Sequence, residues 1–194
     1  MKRIGLTLMA ILLVSFLVFS QNVVISDTAF LYALIEEGVD TNNDSLISYA
    51  EAEAILSLDV SERGITDMTG IQSFINLYSL ACNANPLTSL ELSNNIALTY
   101  LDISAYCTWG GCFGGTITTL DISKNTALEV LYCRGQALTS LDLSNNNSII
   151  EIRIWNTPSL KEVCVWEMPF PPDVGYFLLN TDGSPNIYFT TDCN

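Results

Sequence analysis

Between residues 40 and 51 the chain reads Asp-Thr-Asn-Asn-Asp-Ser-Leu-Ile-Ser-Tyr-Ala-Glu, a run of oxygen donors at the spacing a hard cation requires. Asp40, Asn42 and Asp44 offer side chains, Leu46 its carbonyl, Ser48 a direct or water-bridged contact, and Glu51 a bidentate carboxylate. Oxygen ligands around one tight loop make Ca2+ the expected ion. Its role is structural and its affinity lies in the weak extracellular range, about 10⁻⁴–10⁻³ M. Ile47 is the apolar residue that such a loop turns into its own core. Ser45 occupies the position where glycine relieves the sharp turn, which lowers the expected affinity.

Most other chemistry is excluded. Histidine is absent, which removes Ser-His-Asp and Cys-His machinery and every His-ligated metal. Acidic residues number 21 against 7 Lys and Arg, a formal charge of −14. Loss of Lys2 and Arg3 with a leader peptide leaves five basic residues and −16. Such a surface suits neither nucleic acid nor anionic lipid. The enzymatic alternative is a secreted, glycosidase-like hydrolase using two carboxylates. Glu91, Asp121 and Asp142 recur at one repeat position, however, which signals structure rather than a unique acid/base pair. No enzymatic activity is expected; a purely structural envelope protein is the third reading.

The elements that must position these residues are written in a repeat. The pattern L-x-x-L-x-[LIVC] recurs at Leu77/Leu80/Cys82, Leu87/Leu90/Leu92, Leu98/Leu101/Ile103 and Ile117/Leu120/Ile122. It continues at Leu128/Leu131/Cys133, Leu138/Leu141/Leu143, Ile149/Ile152/Ile154 and Leu160/Val163/Val165. Two half-repeats make one unit of 21 residues, with extra residues inserted around 105–115. Alternation at the end of each triplet predicts short half-buried strands. Asn95, Asn125 and Asn146 close the second half-repeats and are expected to turn inward onto backbone groups.

These residues resemble the leucine-rich repeat family, in its bacterial class of nested half-motifs. Asn85 to Asn95 and Gln136 to Asn146 carry the resemblance, and residues 64–77 look like the entry repeat of exported bacterial members. Gln136 and Thr157 depart from the Asn expected there. The resemblance implies a solenoid, and the expected fold is α/β-type, mostly β: a right-handed coil of short parallel strands with a small helical N-terminal cap and a disulfide-tied C-terminal cap. It implies protein binding in general and names no partner. The 40–51 loop, with apolar helical segments on both sides, resembles a single EF-hand. The expected organisation is a signal peptide at 1–20, the EF-hand-like cap at 21–63, the solenoid at 64–168 and a C-terminal cap at 169–194.

Comparing the repeats with one another locates a candidate binding face. Outward positions of the second half-repeats are monotonous: Ser89/Glu91/Ser93, Thr119/Asp121/Ser123, Ser140/Asp142/Ser144. Those of the first half-repeats vary: Ser79/Ala81/Asn83, Tyr100/Asp102/Ser104, Val130/Tyr132/Arg134, Glu151/Arg153/Trp155. Tyr, Trp and Arg dominate interface hot spots. Tyr100, Asp102, Tyr132, Arg134, Arg153 and Trp155, joined by Trp109 from the insertion, are therefore the expected contacts for a protein or glycan ligand.

Lys2-Arg3, the apolar run Ile4 to Phe19, and Ser20-Gln21 form a secretory signal pattern. The mature chain is expected to be exported, to the periplasm, cell surface or medium, with no membrane span. In that compartment Cys107 is expected to pair with Cys112, and Cys164 with Cys193. Cys82 and Cys133 lie two coils apart, roughly 10 Å at about 4.8 Å per strand, and are expected to be buried free thiols.

Overall fold

The computed structural model describes residues 22–108, 111–113, 115–172 and 177–193, with backbone alone at 107, 108 and 111–113. The expected leader, Trp109 and the sulfur atoms of Cys107 and Cys112 lie outside the described residues. The N-terminal half contains helices α1 (Thr28–Glu36) and α2 (Tyr49–Ala54), then strands β1 (Ser57–Asp59), β2 (Ser79–Ala81) and β3 (Tyr100–Asp102). The insertion is a hairpin of β4 (Tyr106–Thr108) and β5 (Gly111–Phe113), which places Cys107 opposite Cys112. Strands β6 (Val130–Tyr132), β7 (Ser140–Asp142), β8 (Glu151–Arg153), β9 (Glu162–Cys164), β10 (Leu178–Asn180) and β11 (Tyr188–Thr190) complete the chain.

The first half-repeats stack in register. Leu58, Leu80, Leu101, Leu131, Ile152 and Leu179 form one file across a six-stranded parallel sheet, β1-β2-β3-β6-β8-β10. Pairing in this register buries the middle residue of each strand and turns its two neighbours outward. The second half-repeats form a shorter parallel sheet, β7-β9-β11. Between the two sheets the triplet residues are almost wholly buried, Cys82 and Cys133 among them as free thiols. The coil is therefore a leucine-rich solenoid with one continuous apolar core.

Both sheets reach past the span expected for the solenoid. β1 lies inside the expected N-terminal cap, and β10 and β11 inside the expected C-terminal one. Two second half-repeats, around Leu90 and Leu120, form no ladder although the alternation predicts strands there. The insertion separates their coils. At its exit the Thr116 hydroxyl donates to the Leu87 carbonyl, and the Glu91 and Asp121 carboxylates take the N–H groups of Ser93 and Ser123.

The asparagines hold one coil to the next. Nδ2 of Asn125 donates to the Leu92 and Asn95 carbonyls at 3.1 and 2.9 Å, and Asn146 repeats the contact on Ile122 and Asn125. Both departures from Asn do the same work by other means. Gln136 donates to the Ile103 carbonyl and accepts from the Ile117 N–H, so its longer side chain bridges the coil that carries the insertion. Thr157 shares its duty with Ser184, whose hydroxyl accepts from the Thr157 N–H at 2.8 Å and also meets the Ile154 carbonyl.

The N-terminal end is closed by the two helices. Phe30, Ala33 and Leu34, at i, i+3 and i+4, bury one face of α1. Asp27 caps that helix through Ala29 and Phe30 and accepts from Thr66 and Asp67, tying the cap to the entry repeat. At the other end a disulfide joins Cys164 to Cys193; beside it Phe170 meets Trp166 and Phe177 edge-on and Phe189 at a tilt. Cys164 is buried by that bond, although strand alternation alone would turn it outward.

Candidate functional site

The solenoid brings the variable outward residues of β3, β6 and β8 onto adjacent strands. Register sets Tyr100, Val130 and Glu151 in one column and Asp102, Tyr132 and Arg153 in another. Arg134 and Trp155 lie two residues past the ends of their strands and continue the same columns. Tyr100 meets Tyr132 edge-on, with ring centroids 5.6 Å apart. The Arg153 guanidinium carbon sits 4.5 Å from the Tyr132 ring centroid, and that of Arg134 lies 5.9 Å from both Tyr132 and Trp155. Six of the seven expected contact residues thus stand on one face; Trp109 lies outside the described residues.

Two residues that sequence reasoning left out of the site organise it. Glu151 accepts from the Tyr132 hydroxyl at 2.7 Å and from Arg153 Nε at 2.8 Å, with Arg153 Nη2 at 2.7 Å. Ser104, wholly buried, accepts from Arg134 Nε at 3.1 Å. The available signal was the Glu-x-Arg alternation of residues 151–153, which places both groups on one side of a strand. Asp102 departs from its expected part. It is 7% exposed and accepts from the Ser104 N–H at 2.9 Å, so it braces the face rather than presenting a carboxylate to a ligand.

The electrostatics keep the tyrosines neutral. Burial raises the Tyr132 phenol to about 12, helped by its bond to Glu151 and opposed by Arg153. Burial and Asp102 raise Tyr100 as well, while Arg134 and Arg153 act in the opposite sense. The phenols therefore serve as donors and ring faces over the whole physiological range. Beside them, a shallow depression of about 280 Å³ runs between β8 and β10, lined by Glu151, Arg153, Leu178 and Asn180.

No protein-family model matches this chain, and no curated protein matches it in sequence. Among solved structures it is similar to an internalin, InlF, of Listeria monocytogenes. The TM-score is 0.51 and the identity 22%, over 72% of this chain and 43% of that one. It is also similar to InlJ of that organism (TM-score 0.44, 23% identity, 77% and 41% covered) and to its internalin C2 (0.40, 17%, 84% and 93%). The fold is that of a leucine-rich repeat protein. This chain spans less than half the length of the InlF structure.

The 40–51 loop forms a compact turn around its own oxygens. The Asp40 carboxylate accepts from the N–H groups of Asp44 and Ser45 at 3.2 and 2.9 Å, Asn42 Oδ1 from Asp44 at 2.8 Å, and Asp44 Oδ1 from Leu46 at 2.9 Å. Ser45 adopts φ 65°, the left-handed conformation that favours glycine. Ile47 is buried, as expected, and its carbonyl accepts from the Val23 N–H at 2.7 Å. With the antiparallel Asn22–Ser48 bridge, residues 22–23 pair with the end of the loop.

Glu51 is differently engaged. One carboxylate oxygen accepts from Thr41 and Asn42, and the other from the N–H and hydroxyl of Ser48, completing a capping box on α2. The Ser48 N–H, aided by the Thr41 and Ser48 hydroxyls against the cost of burial, lowers its pKa to about 2. The donor set is all oxygen and fits a hard cation. Among the described residues, however, Asp40, Asp44 and Glu51 do not bring carboxylate oxygens within 4.8 Å of one another. A bound ion would take over Glu51 from Ser48.

Proposed function

We propose that this chain is an exported recognition protein that binds a partner protein across the face of β3, β6 and β8. The observation that carries the reading is the continuous stack of Tyr100, Tyr132, Arg134, Arg153 and Trp155 over three adjacent coils. Aromatic side chains lose little rotamer freedom for the area they cover, and bonds to Glu151 and Ser104 already fix Tyr132 and the two arginines. The outward positions Ser89/Glu91/Ser93, Thr119/Asp121/Ser123 and Ser140/Asp142/Ser144 of the second half-repeats carry no aromatic or arginine anchor. A row of contacts spread along the coil suits an extended polypeptide segment better than a small molecule in a pocket.

Catalysis is not part of this reading. A glycosidase needs one carboxyl group that holds its proton near neutral pH. Among the described residues, each carboxylate with a displaced pKa is lowered: Asp27, Glu51, Asp67, Glu91 and Asp121. Among the described residues no helix is long and apolar enough to cross a bilayer. Calcium at Asp40, Asn42, Asp44, Leu46, Ser48 and Glu51 belongs to the proposal as a structural ion that stiffens the N-terminal cap.

The test uses protein secreted through its own leader, so that an N-terminus at Gln21 checks export in the same preparation. Retention of a phage-displayed random-peptide library is compared for the wild type and a Y132A/R134A/W155A variant. Loss of two or three anchors is expected to lower retention on the order of 30-fold or more. A T119A/S140A variant, altered at outward positions of the second half-repeats, is expected to match the wild type. Equal retention by the wild type and the triple variant would remove the face assignment.

A further inference from the structure

The two arginines of the face differ in what they have left to give. Arg153 is neutralised by Glu151, which takes both its Nε and its Nη2 at 2.8 and 2.7 Å. Arg134 has no carboxylate within 4.0 Å among the described residues. Its Nε donates to Ser104 Oγ, and Ser104 is itself buried and held through its N–H by Asp102. The four N–H donors on the Nη atoms meet no protein acceptor among the described residues. Tyr132 and Trp155 flank the guanidinium at 5.9 Å each. The result is a planar cation fixed at one nitrogen, walled by two aromatic rings, with its terminal fork unsatisfied.

Resting on the recognition reading above, we infer that Arg134 is the specificity-determining residue of this face, and that it seats a single Asp or Glu side chain of an extended partner segment. A guanidinium fork matches a carboxylate with two parallel N–H···O bonds, the strongest ionic contact a protein surface offers. The flanking rings exclude water from that contact and give the partner's neighbouring apolar residues a surface to lie on. The charge of the chain limits what the partner looks like. At −14 overall, with Asp102 and Glu151 inside the same face, the protein repels a run of acids. An isolated carboxylate between apolar residues fits; a polyacidic stretch does not. An acidic sugar shares the carboxylate, but a polyuronate carries the repeated negative charge that this chain opposes.

The experiment sequences the peptides selected on the wild type, then builds a double-mutant cycle. One selected peptide and its Glu→Gln or Asp→Asn form are titrated against the wild type and R134Q; R134W, which adds a third ring, is not used. Selected peptides are expected to be enriched in solitary acidic residues flanked by apolar ones. Loss of the peptide carboxylate should weaken binding to the wild type about tenfold or more, and leave binding to R134Q unchanged. R134K, which keeps the charge without the fork, should fall between them and covers the case in which R134Q does not fold. Additive losses, or selection without acidic enrichment, overturn the inference. So does a glucuronate disaccharide that binds where the peptides do not. If peptides are selected and W155A releases them, yet they carry no acid, the recognition reading stands and the carboxylate seat falls. If no peptide is selected, or Y132A and W155A bind as the wild type does, the recognition reading falls too.

Discussion

At the scale of single residues, one side chain often serves two elements, and Asp27 is the clearest case. Its Oδ1 caps α1 while its Oδ2 accepts from the N–H and hydroxyl of Thr66 and the N–H of Asp67. Burial pushes the carboxyl upward, but the Thr66 hydroxyl and the N–H groups of Thr66, Phe30 and Asp67 outweigh it and hold the pKa at about 2, below the ordinary 3.8. A lowered folded pKa stabilises the protein above the unfolded value, and that contribution disappears as pH falls through the folded one. Wild type is therefore expected to exceed D27A by about 1–2 kcal/mol at pH 6. The gap should shrink below pH 3.8 and close near pH 2, read as urea midpoints across that range. A gap that stays constant with pH would mean the carboxylate charge contributes nothing. The tie of Asp27 to the entry repeat was invisible in the sequence, because Thr66 and Asp67 lie about 40 residues away.

Within the elements, the repeat dictated where strands form, and the insertion dictated where they do not. Gly115 at the exit of the insertion lies so close to the next coil that a Cβ there would sit 1.9 Å from the Gly135 carbonyl oxygen. The neighbouring inward position is Gln136 rather than Asn, with one more methylene to span the altered coil. Restoring the consensus is thus expected to harm the protein. Q136N should lose about 1–3 kcal/mol by leaving the Ile103 carbonyl and Ile117 N–H unpaired in the core, as judged by chemical denaturation. A neutral Q136N would show that the coil closes up around the shorter side chain. The four middle strands of the long face, β2, β3, β6 and β8, were legible because period-2 alternation held through those first half-repeats. The final strands β10 and β11 were not, because residues 165–177 break the repeat phase with Pro and aromatic residues.

The whole molecule is a one-dimensional stack in which each coil contacts chiefly its neighbours, so its ends influence the stability of everything between them. The N-terminal end is well closed: α1, α2 and residues 22–23 cover the first coil, and Phe30, Leu34 and Ile47 are buried. At the C-terminal end Leu179, Ile187 and Phe189 remain only partly buried beside the Cys164–Cys193 bond. If calcium stiffens the N-terminal cap, it acts on the entire array. At tenfold excess over the dissociation constant, binding adds about 1.4 kcal/mol, a rise of roughly 3–6 °C in melting temperature for a chain of this size. Calorimetry in calcium and in chelator should show that rise in the wild type and not in E51Q. Identical melting under both conditions would leave the 40–51 loop as a helix-capping turn alone.

By itself, the sequence determined the solenoid, its two faces and the identity of the residues on each, because a strict apolar period leaves one way to bury every leucine at once. It also pointed to Cys164 as a partner for Cys193, since strand phase turned Cys164 outward and Cys82 and Cys133 inward, and the structure joins the two. Tertiary structure alone decided how the face is wired. Asp102 and Ser104 sink beneath Arg134, Glu151 neutralises Arg153, and Arg134 keeps its fork. Those distinctions depend on distances of a few ångströms between coils, and a repeat pattern fixes which strands are neighbours but not which side chains pair across them.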